Sequence, residues 1–142
     1  MRYMLIVKAS EQSEAGVLPT EQELAEMGKF NEELVKAGVM LDGNGLGPSS
    51  AGARVKFSDR RKTTVVDGPF TETKELVAGY WILDVKSRDE AIEWARRVPF
   101  GPGGEIEVRK VAEEEDFGDN FTPELRQAEQ RMREQIAQQH GG

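Results

Sequence analysis

The chain has 142 residues, 37% of them hydrophobic and 32% charged, with 19 Lys and Arg against 26 Asp and Glu for a formal net charge of -7. A length of this order suits one domain that buries roughly two-thirds of its extended-chain surface, and the negative balance argues against direct binding to nucleic acid or to an anionic membrane. With no cysteine, and with His140 near the end of the sequence as its one histidine, the chain offers no disulfide, no thiolate nucleophile, no cysteine zinc site and no Ser/His/Asp triad.

Residues 2–8 (RYMLIVK) hold Met4, Leu5, Ile6 and Val7 in a row, as a strand with at least one buried face does. No cleavage signal is visible there and no run approaches the ~18 apolar residues that span a bilayer, so a cytoplasmic protein is expected. After a loop ending at Pro19, Thr20 and Glu23 form a T-x-x-E capping box. Leu24, Met27, Phe30, Leu34 and Val35 then recur at helical spacing until Gly38. Residues 39–41 lead into DGNGLGPSSAG, whose glycines predict a bent strand or a bulged turn. A phosphate loop would need a helix directly after those glycines, and residues 54–57 read as a strand. That strand pairs with residues 63–66 in a predicted hairpin tipped by Arg60, Arg61 and Lys62, whose charges also discourage edge pairing.

Residues 65–81, VVDGPFTETKELVAGYW, pack a turn, a charged loop and the start of the longest strand into one segment. Asp67, Gly68 and Pro69 end a β-branched run, and the Asp67 carboxylate is placed to accept from the N–H of Phe70 or Thr71. In the strand at 76–85, Tyr80 and Trp81 point to opposite faces, one toward a core and the other toward a cleft or partner. Ser87 and Glu90 make a second capping box for a helix whose inner face carries Ala91, Trp94 and Ala95 and which ends near Pro99. Residues 105–111 (EIEVRKV) alternate as an antiparallel strand with Glu105, Glu107 and Arg109 on one face. An acidic linker at 113–116 precedes a last helix capped by Thr122, with Pro123 in its first turn and Leu125, Ala128, Met132 and Ile136 on a narrow apolar face.

This order defines an α+β fold: a ferredoxin-like β-α-β-β-α-β core with an inserted β-hairpin, plus a C-terminal helix. The domain is expected over residues 1–112, with the linker and helix at 113–142. Candidate chemistry gathers around the 67–70 turn. Asp67 and Lys74 are the best acid/base candidates, since without histidine or cysteine a base has to be a carboxylate, lysine or tyrosine of shifted pKa. Asp67, Phe70, Lys74, Tyr80, Trp81 and Arg109 are the candidate ligand-binding residues. Each also has a plain structural role: Asp67 as a turn residue, Lys74 as a solvated surface charge, the aromatics as core, Arg109 as half of an ion pair. A carboxylate held by turn N–H groups stays ionised, which suits an anchor better than a proton donor. Asp42, Asp67, Glu105 and Glu107 are the available oxygen donors for a metal, but their spacing fits no established loop, so neither a metal nor a cofactor is expected.

DGPFTETKE, followed by LVAGYWILDV and, after a helix, by GGEIEVRKV, resembles the DGPF group of the YCII-related family. The resemblance extends over residues 1–111 and includes MRYMLIVK and LDGNGLGPSS. It implies a dimeric α+β barrel, a homodimer whose ferredoxin-like sheets face each other, with a cleft between sheet and helices. It implies no settled reaction, because relatives are named by analogy to small cofactor-independent enzymes and some are linked to transcription initiation. The His and Asp pair proposed for the wider group has no histidine here inside the matching region. Residues and resemblance together predict a DGPF-type domain that binds a small polar or aromatic molecule in a cleft beside the turn. The alternatives are a cofactor-independent isomerase, lyase or oxygenase acting through Asp67 or Lys74, and a regulatory or protein-interaction module built on the acidic segment and last helix.

Overall fold

Strand β1 (Arg2–Lys8) lies between β5 (Val77–Asp84) and β6 (Ile106–Lys110), and β2 (Met40–Gly45) pairs with the other side of β5, so the sheet runs β2-β5-β1-β6 with every pairing antiparallel. Helices α2 (Glu21–Lys36) and α3 (Arg88–Arg96) connect β1 to β2 and β5 to β6. This is the ferredoxin-like α+β order. A separate two-stranded ribbon, β3 (Ala53–Phe57) with β4 (Thr63–Asp67), is inserted between β2 and β5. The computed structural model describes residues 1–59 and 62–141. Arg60 and Arg61 of the predicted basic tip lie outside the described residues, while the Lys62 carbonyl accepts from the Ser58 N–H at 2.9 Å. The chain divides into two compact units, Met1–Lys110 and Val111–Gly142.

The period of two decides what the sheet buries. Tyr3 and Leu5 on β1 and Trp81, Leu83 and the following Val85 on β5 point to the helical face, where Phe30 and Leu34 of α2 and Ala91 and Trp94 of α3 close a core in which Leu5, Leu34 and Leu83 are fully buried. The Phe30 ring stands edge-on to Trp81 (centroids 5.5 Å apart) and to Trp94 (6.5 Å). The Trp81 indole N–H donates to Asn31 Oδ1 at 2.9 Å, which satisfies its polar edge inside an apolar layer. Gly43 of β2 is needed beside this indole, since a Cβ there would come within 2.9 Å of Trp81 Cδ1. The opposite sheet face presents Met4, Ile6, Tyr80, Ile82, Glu107 and Arg109, none of them buried.

Several local expectations are refined. Thr20 and Glu23 form the full capping box, at 3.1 and 3.4 Å. Leu24 and Val35 are 59% and 65% exposed, because the inward stripe of α2 is Met27, Phe30, Asn31 and Leu34, and the other two fall outside that sector. Ser87 accepts from the Glu90 N–H, but the Glu90 carboxylate takes the Lys86 N–H at 2.8 Å, so the box is displaced by one residue. A single helical turn, α1 (Glu11–Glu14), stands where the sequence predicts only loop, held by a reciprocal Ser10 and Ser13 cap.

In the second unit, residues 114–120, expected as part of a solvated linker and its continuation, coil into 3-10 turns ahead of α4 (Pro123–Gln139). Arg126 joins these pieces: its guanidinium lies over Phe121, donates to the Phe121 carbonyl at 3.0 Å and pairs with Glu114 at 3.4 Å. Glu129 and Arg133 form the predicted i,i+4 pair at 2.8 Å, and no residue of α4 is buried. Among the described residues no helix is long and apolar enough to cross a membrane.

Candidate functional site

The 67–70 turn leaves β4 opposite Ala53. Gly68 donates its N–H to the Gly52 carbonyl at 3.0 Å, and a Cβ on Gly68 would fall 1.8 Å from the Ser49 carbonyl oxygen, so the chain approaches the 49–51 turn more closely than any side chain permits. The Gly68–Pro69 peptide is cis. The Phe70 N–H, predicted to bond Asp67, donates to Ser49 Oγ at 2.9 Å. Ser49 in turn donates its hydroxyl to Glu14 Oε2 and its N–H to Glu14 Oε1 (2.9 Å). The Phe70 ring lies 3.8 Å beneath the Arg54 guanidinium, a cation–π contact. The turn is therefore fixed from outside by Ser49. Asp67 is exposed and its carboxylate has no hydrogen-bond or ion-pair partner among the described residues.

Lys74, in the short 3-10 turn Thr73–Glu75, lines a cleft of about 690 Å³ together with residues 7–13, 17–19, 23, 78 and 100–105. Val7, Val17, Leu18, Pro19 and Phe100 give it apolar walls, and Lys8, Lys74, Glu11, Glu23 and Glu105 give it charge. Lys8 sits 3.3 Å from Glu107, whereas Lys74 has no ion pair among the described residues. A smaller cavity of about 470 Å³ between α3 and β6 shares Phe100, Gly101, Gly104 and Glu105 with it, so the 100–105 loop borders both.

The six residues singled out in the sequence occupy separate places. Trp81 belongs to the core. Tyr80 is on the opposite sheet face, where its hydroxyl donates to Asp42 Oδ2 at 3.2 Å and accepts from Asn44 Nδ2 at 3.1 Å. Arg109 is on that same face, two strands away, 69% exposed and paired with Glu107 at 3.0 Å. Asp67 and Phe70 lie at the hairpin root, and of the six only Lys74 lines the cleft. Lys8, Ser49 and Glu14 were missed. Lys8 ends β1, where alternation alone left its direction open, and nothing in sequence links Glu14 to Ser49. Among the described residues no three His, Asp or Glu side chains gather as metal ligands.

Two carboxyl groups are shifted in opposite senses. The Arg109 hydrogen bond, then Lys8, holds Glu107 below its ordinary 4.5, so this contribution to stability is present above the unfolded value and fades as pH falls through the depressed folded value. Hydrogen bonding and repulsion from Glu72 raise Glu75 above 4.5. Its contribution is complete below the unfolded value and is lost as pH rises through the raised folded value. Glu75→Gln is therefore expected to unfold at higher urea concentration than wild type at neutral pH, with the gap closing below pH 4.5; a gap constant across pH would contradict this.

The sequence profile of the YCII-related domain matches residues 1–115. An uncharacterized protein of Rhizobium meliloti (strain 1021) is 35% identical over 94 residues, which cover 65% of this chain and 75% of that protein.

Proposed function

The chain belongs to the YCII-related family, and on that footing we propose that it is a small homodimeric domain that binds a compact molecule with an aromatic or apolar body and an anionic group. The observation that carries this reading is the cleft of about 690 Å³, lined by Val7, Val17, Leu18 and Phe100 together with Lys74, which has no ion pair among the described residues. Pockets of a few hundred Å³ with apolar walls and few polar groups are where small ligands bind. An anion with a flat body satisfies both features of the lining, while a dianion would meet Glu11, Glu23 and Glu105. For the homodimer, the support is the sheet face with Met4, Ile6 and Ile82 at its centre, Tyr80 and Asp42 on one flank and the Glu107–Arg109 ion pair on the other, an apolar middle inside a polar rim.

Anilinonaphthalene sulfonate, an aromatic monoanion, tests the cleft by fluorescence titration. Saturable binding is expected in wild type, and Lys74→Ala is expected to weaken it about tenfold, the scale of one charge-assisted hydrogen bond. The neutral N-phenylnaphthylamine should not distinguish the two proteins. Equal sulfonate affinity in Lys74→Ala, or no saturable binding to wild type, rules this reading out.

A further inference from the structure

We infer that Glu14 and Ser49 are positioning residues for the cleft, a relay through which the 67–70 turn holds α1 in place as one of its walls. The inference rests on the ligand-binding reading above for its functional meaning, and on geometry for its mechanics. Helix α1 is a single turn with no buried residue, and one turn cannot support itself, because its nucleation cost exceeds the return from its few hydrogen bonds. Its reciprocal serine cap satisfies its first turn. What ties it to the rest of the unit from its other end is Glu14, whose two carboxylate oxygens receive the N–H and the hydroxyl of Ser49.

Ser49 cannot drift, because its Oγ also receives the Phe70 N–H at 2.9 Å and its carbonyl is pressed against Gly68 and bonded by Gly52 N–H at 2.9 Å. The hydroxyl thus donates toward the helix and accepts from the turn. Glu11, Gln12 and Ser13, on the same helical turn as Glu14, face the cleft. A displacement of the DGPF backbone therefore reaches the cleft wall by two hydrogen bonds, with no contact between turn and ligand. This accounts for a turn that lies outside the lining and yet has an address within it.

Amide relaxation and resonance positions in full-length wild type, Ser49→Ala, Glu14→Gln and the double variant test the relay. Order parameters for residues 11–17 are expected to fall from about 0.85 toward about 0.6 in either single variant, with β1 and α2 unchanged. The Phe70 amide resonance should move in Glu14→Gln although Glu14 does not touch it, and Glu14→Gln should add less in the Ser49→Ala background than in wild type, because there only the residue-49 backbone N–H still donates to it. Anilinonaphthalene sulfonate should bind both single variants about fivefold more weakly. Unchanged order parameters, or additive effects in the double variant, overturn the relay whatever the probe does. Lowered order with unchanged probe affinity overturns the positioning role. A wild type that does not bind the probe overturns the ligand reading and with it the positioning role, while the relaxation data still decide whether the relay exists.

Discussion

Phe30→Ala is expected to lower the unfolding free energy by about 3–5 kcal/mol, the range for deleting a buried aromatic ring. Phe30 is 4% exposed and its ring makes T-shaped contacts with both indoles of the core, Trp81 on the sheet and Trp94 on α3. Neither indole is free to close the void. Trp81 is tethered through its N–H to Asn31, and Trp94 sits on a helix whose Ser87 cap and sheet contacts set its height. The cavity term therefore adds to the transfer term with little relief from collapse. Urea unfolding followed by tryptophan fluorescence measures the effect, and the midpoint should move with little change in slope. A loss under about 1 kcal/mol would mean that the ring is not the keystone between sheet and helices that its contacts make it.

Gly68→Ala should cost about 3 kcal/mol, at the upper end of the range for overpacking. The cause is collision, not backbone conformation: Gly68 is absent from the positive-φ glycines, but its Cβ would stand 1.8 Å from the Ser49 oxygen and 2.6 Å from its carbonyl carbon. Both are main-chain atoms, so no rotamer change relieves the contact. Either β4 and the turn part from the 49–51 segment, breaking the Gly68 to Gly52 hydrogen bond, or Ser49 moves and releases Phe70. Gly47→Ala is the control, since a Cβ there meets nothing within 4 Å, and it should lie within about 0.5 kcal/mol of wild type. If the two alanine variants have the same denaturation midpoint, the close approach described for Gly68 is wrong.

Legibility in the sequence followed the range of the interaction concerned. The strands, α2, α3 and α4 were readable because capping residues and alternation act within a few positions, as Thr20 with Glu23 and Tyr80 beside Trp81 show. The antiparallel ferredoxin-like order followed from that series of elements. The site was legible only in part. The DGPF segment marks the family, and Lys74 does line a cleft, but the residue that fixes the turn is Ser49, twenty-one positions from Phe70, and its own partner Glu14 is thirty-five positions away. Composition and periodicity carry no information on such pairs. Asp67 illustrates the converse: its chemistry suits a self-contained turn, yet another segment supplied the acceptor first.

Between Gly45 and Val77 the chain leaves the sheet and returns, and the two ends meet at the Leu46 to Ala78 hydrogen bond. Folding must therefore close a long loop before β2 can join β5, an entropic toll that grows only with the logarithm of loop length. The β3–β4 ribbon is a local hairpin able to form first and shorten the free chain to be ordered. The family's most recognisable residues thus sit at the neck of an appendage, where the seam between local and non-local assembly is drawn shut.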